Sequence, residues 1–483
     1  MENIVSMQNI CLAYEGVGVF ENLDFEIKRG QNYVIGGKSG SGKSSFGKLV
    51  CGQMKPDSGS VKTEFNPENK LQAVAYYMDN WYKFSSLDGD RNFYYQQRYD
   101  KQEDDTTLTV YAELMRFGEK HGLDFEKAHP LLEKFGFLHC KETQLIELSS
   151  GEHKKLQLTM ALWYKPQLLV LDEPYTGLDK NSRHVLNDVL DAYSKEGLTY
   201  ILITADGQLP ESATNFGKLE GKKFVKVASA NELNCAEVRV KEEVPYFLQQ
   251  PPKCDCTNFI DIKNVSVRYG EKTVLSGVNW RVNKGEKWLL QGSNGSGKST
   301  LLSLLDGDHP QAYANDITLF EKPRGSGESI WDIKKMIGII SPELHWYFEK
   351  NSTVYNSVAS GFHDSIGWFL DVSYDEQKKI ELLLKFFGIY EYKDRYMYTL
   401  PLGKQRLALL ARTMVKNPPL LILDEPCQGL DNAQTRLFND ALDDLGVYGK
   451  TIIYVGHYET QLPKCIDHKL VLEKGKTVYC GVA

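Results

Sequence analysis

The 483-residue chain contains no apolar run approaching the roughly 18 residues that a membrane-spanning helix requires, so it does not read as an integral membrane protein. Its opening, Met1-Glu2-Asn3-Ile4, has neither the basic nor the apolar segment of a secretory signal, and a cytoplasmic location is expected. Nine cysteines are scattered without the spacing of a disulfide framework, which suits a reducing compartment. Cys254-Asp255-Cys256 could be half of a metal site, but no second pair matches it, and solvated linker thiols are the plainer reading. Positive charge is also short. A formal net charge of −7 argues against a general nucleic-acid-binding surface. What remains, 42% hydrophobic and 25% charged residues, is the composition of a globular protein too long for one ordinary core.

Glycine is placed with more purpose. Gly292-Ser293-Asn294-Gly295-Ser296-Gly297-Lys298-Ser299-Thr300 fits the pattern G-x-x-x-x-G-K-[ST]. Glycines in such a loop let the backbone curl until successive N–H groups face phosphate oxygens. Lys298 is then positioned to reach the β- and γ-phosphates, and the Ser299 hydroxyl to meet Mg²⁺. The motif needs a strand before it and a helix after it. Trp288-Leu289-Leu290 and the apolar set Leu301, Leu302, Leu304 and Leu305 supply both. Gly37-Lys38-Ser39-Gly40-Ser41-Gly42-Lys43-Ser44, followed by Ser45, is a second such loop behind Tyr33-Val34-Ile35.

The two loops belong to a longer repeat. Lys43 and Lys298 are 255 residues apart, and so are Tyr14 and Tyr269. Leu168-Leu169-Val170-Leu171-Asp172-Glu173-Pro174 returns as Leu420-Leu421-Ile422-Leu423-Asp424-Glu425-Pro426 at an offset of 252, as does Gly177-Leu178-Asp179 in Gly429-Leu430-Asp431. A near-constant offset over this many landmarks means a duplicated domain. The expected organisation is one nucleotide-binding domain over residues 1–228, a Pro-containing linker over 229–257 and a second domain over 258–483. Each copy reads as an α/β core with a helical insert. The inserts fall at Val110 to Lys120 and Phe125 to Phe135 in the first copy and at Glu376 to Phe387 in the second. Residues 100–107 read as a solvated polar loop.

The apolar runs ending in Asp172 and Asp424 fit buried parallel strands that each deliver a carboxylate. With Ser44 and Ser299 these aspartates are the expected Mg²⁺ contacts, while Glu173 and Glu425 are placed to polarise an attacking water. Tyr14 and Tyr269, each 29 residues before its loop lysine, can stack on adenine; core filler is the bland alternative. Upstream of each carboxylate strand lies a helix start: Leu148-Ser149-Ser150-Gly151-Glu152, and Leu400-Pro401-Leu402-Gly403-Lys404-Gln405. Ser149 with backbone N–H groups there offers an anion site, or simply a helix cap.

Taken together these motifs resemble the ATP-binding cassette (ABC) ATPases over nearly the whole chain. The resemblance implies an α/β fold with two P-loop NTPase domains in tandem. Each would have a mainly parallel sheet core, an antiparallel β element and a helical insert. It also implies ATP and Mg²⁺ as cofactors, and an ATP hydrolase. In that family two cassettes close head to tail, with nucleotide between the phosphate loop of one and the signature Leu-Ser-Gly-Gly-Gln of the other. By that resemblance Lys298, Asp424 and Glu425 would work with Ser149, Ser150, Gly151 and Glu152, and Lys43, Asp172 and Glu173 with Leu402 and Gly403. His457 fits the family's switch histidine, and a count back from the Gln-Leu-Pro prolines sets Thr204 in its place in copy one. Pro401 replaces the signature serine. It has neither hydroxyl nor N–H. Both losses fall on the Lys43 site, so the Lys298 site is expected to hydrolyse and the Lys43 site mainly to bind.

The family glutamine after the next strand is not evident; Met78-Asp79 and Pro342-Glu343 stand there, which weakens the case for ordinary transporter coupling. The run from Leu301 through Asp308-His309-Pro310-Gln311 to Arg324-Gly325-Ser326-Gly327 and Ile330-Trp331-Asp332 resembles a subgroup of tandem ATP-binding proteins associated with molybdate transport and also labelled photorepair proteins. That resemblance implies a membrane permease partner and peripheral attachment at the inner face of the membrane. The alternatives are a soluble ribosome-associated factor of the ABC-F type and a DNA-repair-associated ATPase. The short, non-basic linker argues against the first. At about 28 residues it could span roughly 28–32 Å as a flexible coil, so pairing of the cassettes within one chain is expected.

Overall fold

A computed structural model describes residues 3–14, 17–38, 40–66, 71–80, 82, 108–204, 207–233, 243–250, 254–270, 272–293, 295–306, 309–341, 352–364, 372–427, 430, 432–456 and 462–483. The chain forms two compact units, with the main boundary between Ala236 and Glu237.

In the first unit, Asn3–Tyr14 lies between Val17–Lys28 and Ser58–Thr63 in an antiparallel sheet. A second sheet runs in the order Gln72–Met78, Pro166–Asp172, Thr199–Ile203, Tyr33–Gly37, Asn215–Glu220, Lys223–Val227, parallel except for its last pair. Pro166–Asp172 is buried along its whole length, as a strand covered on both faces must be. The helical insert holds Val110–His121 and His129–Lys134, and Ser150–Tyr164 leads back to the carboxylate strand.

The second unit repeats this plan. Asn258–Tyr269 pairs with Lys272–Asn283 and Asp316–Leu319. The larger sheet runs Ile337–Ile340, Leu420–Asp424, Thr451–Val455, Lys287–Gly292, His468–Glu473, Lys476–Val482. Tyr374–Phe386 is its long insert helix, and Leu402–Met414 leads back to its carboxylate strand. Even irregularities recur: Asn9 and Asn264 both sit at φ 50° beside a register shift.

Two features of the expected linker differ from the reading above. Tyr246–Gln249 is a helical turn whose Phe247 and Leu248 are buried in the core of the second unit, because this apolar triplet has hydrophobic surface to lose. Cys254 and Cys256 are joined to each other in a disulfide, not free as solvated thiols or a half metal site; their Cα atoms are 5.4 Å apart, within bridging range.

Candidate functional site

Each phosphate loop leaves the end of a central strand and runs directly into a helix, Lys43–Val50 or Lys298–Ser303. Gly40, Gly42, Gly295 and Gly297 all take positive φ, so the sharp turn depends on residues without a Cβ. The lysines fold back over their own loops. Lys43 Nζ donates to the carbonyls of Gly37 (2.8 Å) and Lys38 (3.1 Å), and Lys298 Nζ to those of Gly292 (2.8 Å) and Ser293 (3.0 Å). A Cβ added at Gly292 would come within 2.4 Å of the Leu472 carbonyl and of Ser296 Oγ. At the same point of the two loops, Ser41 and Ser296 each present a buried hydroxyl without a hydrogen-bond partner. Such an orphaned group calls for a polar ligand. A triphosphate fits this donor set; Mg²⁺ bound with it would neutralise phosphate oxygens.

In the first unit the structure brings the serine and the aspartate together. Ser44 and Tyr77 both hydrogen-bond the Asp172 carboxylate, and Tyr77 donates from its hydroxyl at 2.7 Å. Burial raises the Asp172 pKa, against those hydrogen bonds. Glu173 follows with its amide bonded to the Ile203 carbonyl at 2.8 Å. In the second unit Asp424 ends its strand level with Val455, and Ser299 lies exposed in the first turn after the loop. Thr300 follows it, half-buried. Glu173 and Glu425 share a trait composition cannot reveal: both adopt left-handed φ, 45° and 43°. For a side-chain-bearing residue this costs of order 1–3 kcal/mol and recurs at functional sites.

Tyr14 reaches the loop helix, its hydroxyl 3.3 Å from Ser45 Oγ, with its ring half exposed. Tyr269 instead pairs with His309 Nε2 at 2.8 Å and packs partly against the core. Ser149 caps its helix in a reciprocal box: Ser149 Oγ donates to Glu152 Oε2 at 2.7 Å and accepts from the Glu152 amide at 3.3 Å. Gly151 is buried beside it. Pro401 caps the matching helix with no side-chain bond, Leu402 is half-buried, and Gly403 packs so tightly that a Cβ would meet the Gln434 side chain at 2.3 Å. Ser39, Asn294, His457, Pro342 and Glu343 lie outside the described residues, as does the Ser150 side chain.

The strand register corrects one alignment. Asp172 pairs with Ile203 and Asp424 with Val455, which sets Thr204 level with Gly456. The residue matching His457 by count is therefore Ala205, which lies outside the described residues; the loop before Pro463 is one residue longer than that before Pro210. Alanine has no imidazole either, so the missing group is the same.

Several neighbours of the site had no motif to announce them. Lys154 is buried on the helix that Ser149 caps, donates to the Asn80 carbonyl, and has its pKa pulled down by burial to about 8 despite Asp172 and Glu173 nearby. Gln157 Nε2 donates to the Asp79 carbonyl at 2.7 Å. Arg406, at the matching place, donates to the Ser341 carbonyl at 3.2 Å. Only helical phase, which turns these polar residues toward the sheet, could have flagged them.

Comparison with known proteins agrees with this geometry. The family described as ABC transporter matches residues 20–176 and again 275–428. The ABC transporter ATP-binding protein ModF of Escherichia coli (strain K12) is 35% identical, over 92% of this chain and 91% of its own. An ABC transporter ATP-binding protein of Schizosaccharomyces pombe, C323.04, is 30% identical over 99% of both chains. A solved RNase-L Inhibitor covers 98% of this chain and 91% of its own with a TM-score of 0.57, and at 17% identity it shows the fold alone. Among the described residues no helix is long and apolar enough to cross a membrane. Two sets of phosphate loop, helix start and carboxylate strand, in one chain similar to ModF over about nine-tenths of its length, make this a tandem-cassette member of the ABC transporter family.

Proposed function

We propose that the protein is an asymmetric Mg²⁺-dependent ATPase whose two cassettes close head to tail within one chain around ATP, and that it serves a transport system through a membrane permease. The Lys298 site, completed by Ser149, Gly151 and Glu152 of the other cassette and by His457, carries turnover. There Ser299 and Asp424 hold the metal and Glu425 takes the proton of the attacking water. The Lys43 site, which meets Pro401, Leu402 and Gly403, mainly binds nucleotide through Lys43, Ser44 and Asp172. The observation that carries the asymmetry is the contrast in caps, a serine hydroxyl at one helix start and a proline at the other. Losing one group that stabilises the transition state typically costs about 10²–10⁴ in rate. Similarity to ModF, whose name says ABC transporter ATP-binding protein, supports the transport reading, and molybdate is the substrate class that the subgroup suggests.

Steady-state hydrolysis by Glu425→Gln and Glu173→Gln variants tests this reading. Glu425→Gln is expected to remove at least about 99% of turnover and Glu173→Gln less than half. Equal losses would overturn the asymmetry. Sedimentation of the protein with ribosomes in place of membranes would overturn the transport assignment.

A further inference from the structure

Beside the capped helix of the first unit, three side chains of different chemistry converge. His139 and Cys140 lie on the short 3₁₀ turn Leu138–Cys140, and Glu152 stands in the first turn of the helix Ser150–Tyr164. Cys140 Sγ is 3.5 Å from Glu152 Oε1 and His139 Nε2 is 3.9 Å from the same oxygen; all three donor atoms lie within 4.8 Å of one another. We propose that His139, Cys140 and Glu152 form a binding site for a borderline-soft divalent cation of the Zn²⁺ class.

A tetrahedral zinc with ligand bonds of about 2.0–2.3 Å separates its ligands by roughly 3.4–3.8 Å, so these atoms need only small movements to bind. Imidazole, thiolate and carboxylate together favour zinc over the hard ions Mg²⁺ and Ca²⁺, which prefer oxygen alone. The site is supported from behind. Cys140 is buried in the core cluster, and Glu152 Oε2 accepts from both the Ser149 hydroxyl (2.7 Å) and the Ser149 amide (2.8 Å), leaving Oε1 to face the pair. His139 is exposed and can close the site from the solvent side. On binding, the Cys140 thiol loses its proton to solvent, neutral His139 gives the Nε2 lone pair, and ionised Glu152 gives an oxygen; water completes the fourth position.

The second unit supplies an internal control. The same three positions, 252 residues on, hold Glu391, Tyr392 and Lys404. Lys404 Nζ sits 3.7 Å from the centre of the Tyr392 ring and 3.9 Å from Glu391 Oε1. A built-in cation fills that corner in the second unit, whereas the first unit gathers three donors there.

The test uses tag-free, metal-free full-length protein without nucleotide, in a Cys254→Ser, Cys256→Ser background that removes the disulfide, whose sulfurs would compete for the metal if reduced. Titration with Co²⁺ is expected to give one equivalent of binding, with thiolate-to-cobalt charge-transfer absorption that one equivalent of Zn²⁺ abolishes. Cys140→Ser should remove the band, and His139→Ala, at an exposed position that leaves the fold intact by circular dichroism, should weaken binding by at least about tenfold. A band that persists in Cys140→Ser, affinity unchanged in His139→Ala, or no stoichiometric binding by the parent would overturn the proposal.

Discussion

The two helix starts that precede the carboxylate strands share one backbone and differ in almost every side chain that matters. In the first unit Ser149, Glu152, His153 and Lys154 occupy the cap and first turn; in the second the same places hold Pro401, Lys404, Gln405 and Arg406. A serine that both donates and accepts has become a proline that does neither, and an acid has become a base. His153 is buried and donates to the Leu145 carbonyl, with its pKa pressed down to about 4 by burial, while Gln405, in the same place, donates instead to the Leu400 carbonyl at 2.7 Å and does not titrate. Around it the conserved geometry of strands and loops shows that duplication fixes a scaffold more firmly than it fixes chemistry. The first unit carries a serine, an acid, a histidine and a buried lysine at this turn; the second carries a proline, a glutamine and two basic side chains.

That contrast can be broken at several points. Ser149→Ala strikes it hardest: turnover is expected to fall about 100-fold or more, while helix stability drops by only about 1 kcal/mol, separating the two roles in a paired ATPase and thermal-melting experiment. Acid comes next. The folded pKa of His153 lies below its unfolded value near 6.5, so the unfolded chain binds a proton first as pH falls. Its contribution to stability is whole above pH 6.5 and is lost between 6.5 and about 4, to the extent of roughly 3 kcal/mol. His153→Gln, which copies the second unit, should remove that part of the acid sensitivity in a pH series of denaturation curves; an unchanged slope would mean that His153 is charged in the fold. Tyr77→Phe should destabilise the first unit by about 1 kcal/mol through loss of the bond to Asp172, as chemical denaturation would read. The smallest expected effect is a gain. Pro401→Ser combined with Ala205→His restores both missing groups to the Lys43 site, and steady-state turnover should rise by about twofold as a second site begins to work. If it does not rise, something other than these two residues separates the sites.

The motifs were legible because each is local. A loop of glycines ahead of Lys43 or Lys298, or four apolar residues ahead of Asp172 or Asp424, announces its backbone within a few positions, and the repeat made every landmark count twice. What stayed hidden depends on contacts across the sheet. Tyr77 reads as one apolar position in a strand, and nothing in its neighbours says that Asp172 of the adjoining strand meets its hydroxyl. Lys154 reads as solvated surface, since buried lysines are rare. The count that matched Thr204 with His457 failed by one residue because a loop changed length where hydrogen-bonded pairing, not sequence distance, sets the register. Phe247 and Leu248 sat in a stretch whose composition suggested a tether, and only packing revealed them as anchors.

The left-handed turn at Glu173 and Glu425 has a consequence for anyone who would improve this protein. Glycine would relieve the turn at either position, by about 1 kcal/mol, and would do so by deleting the carboxylate. A library screened only for heat resistance should therefore drift toward glycine at both places and return sturdy, inert proteins. Retaining glutamate there is an outlay in robustness that only use can justify, and the second unit's Glu425 and the first unit's Glu173 carry it alike.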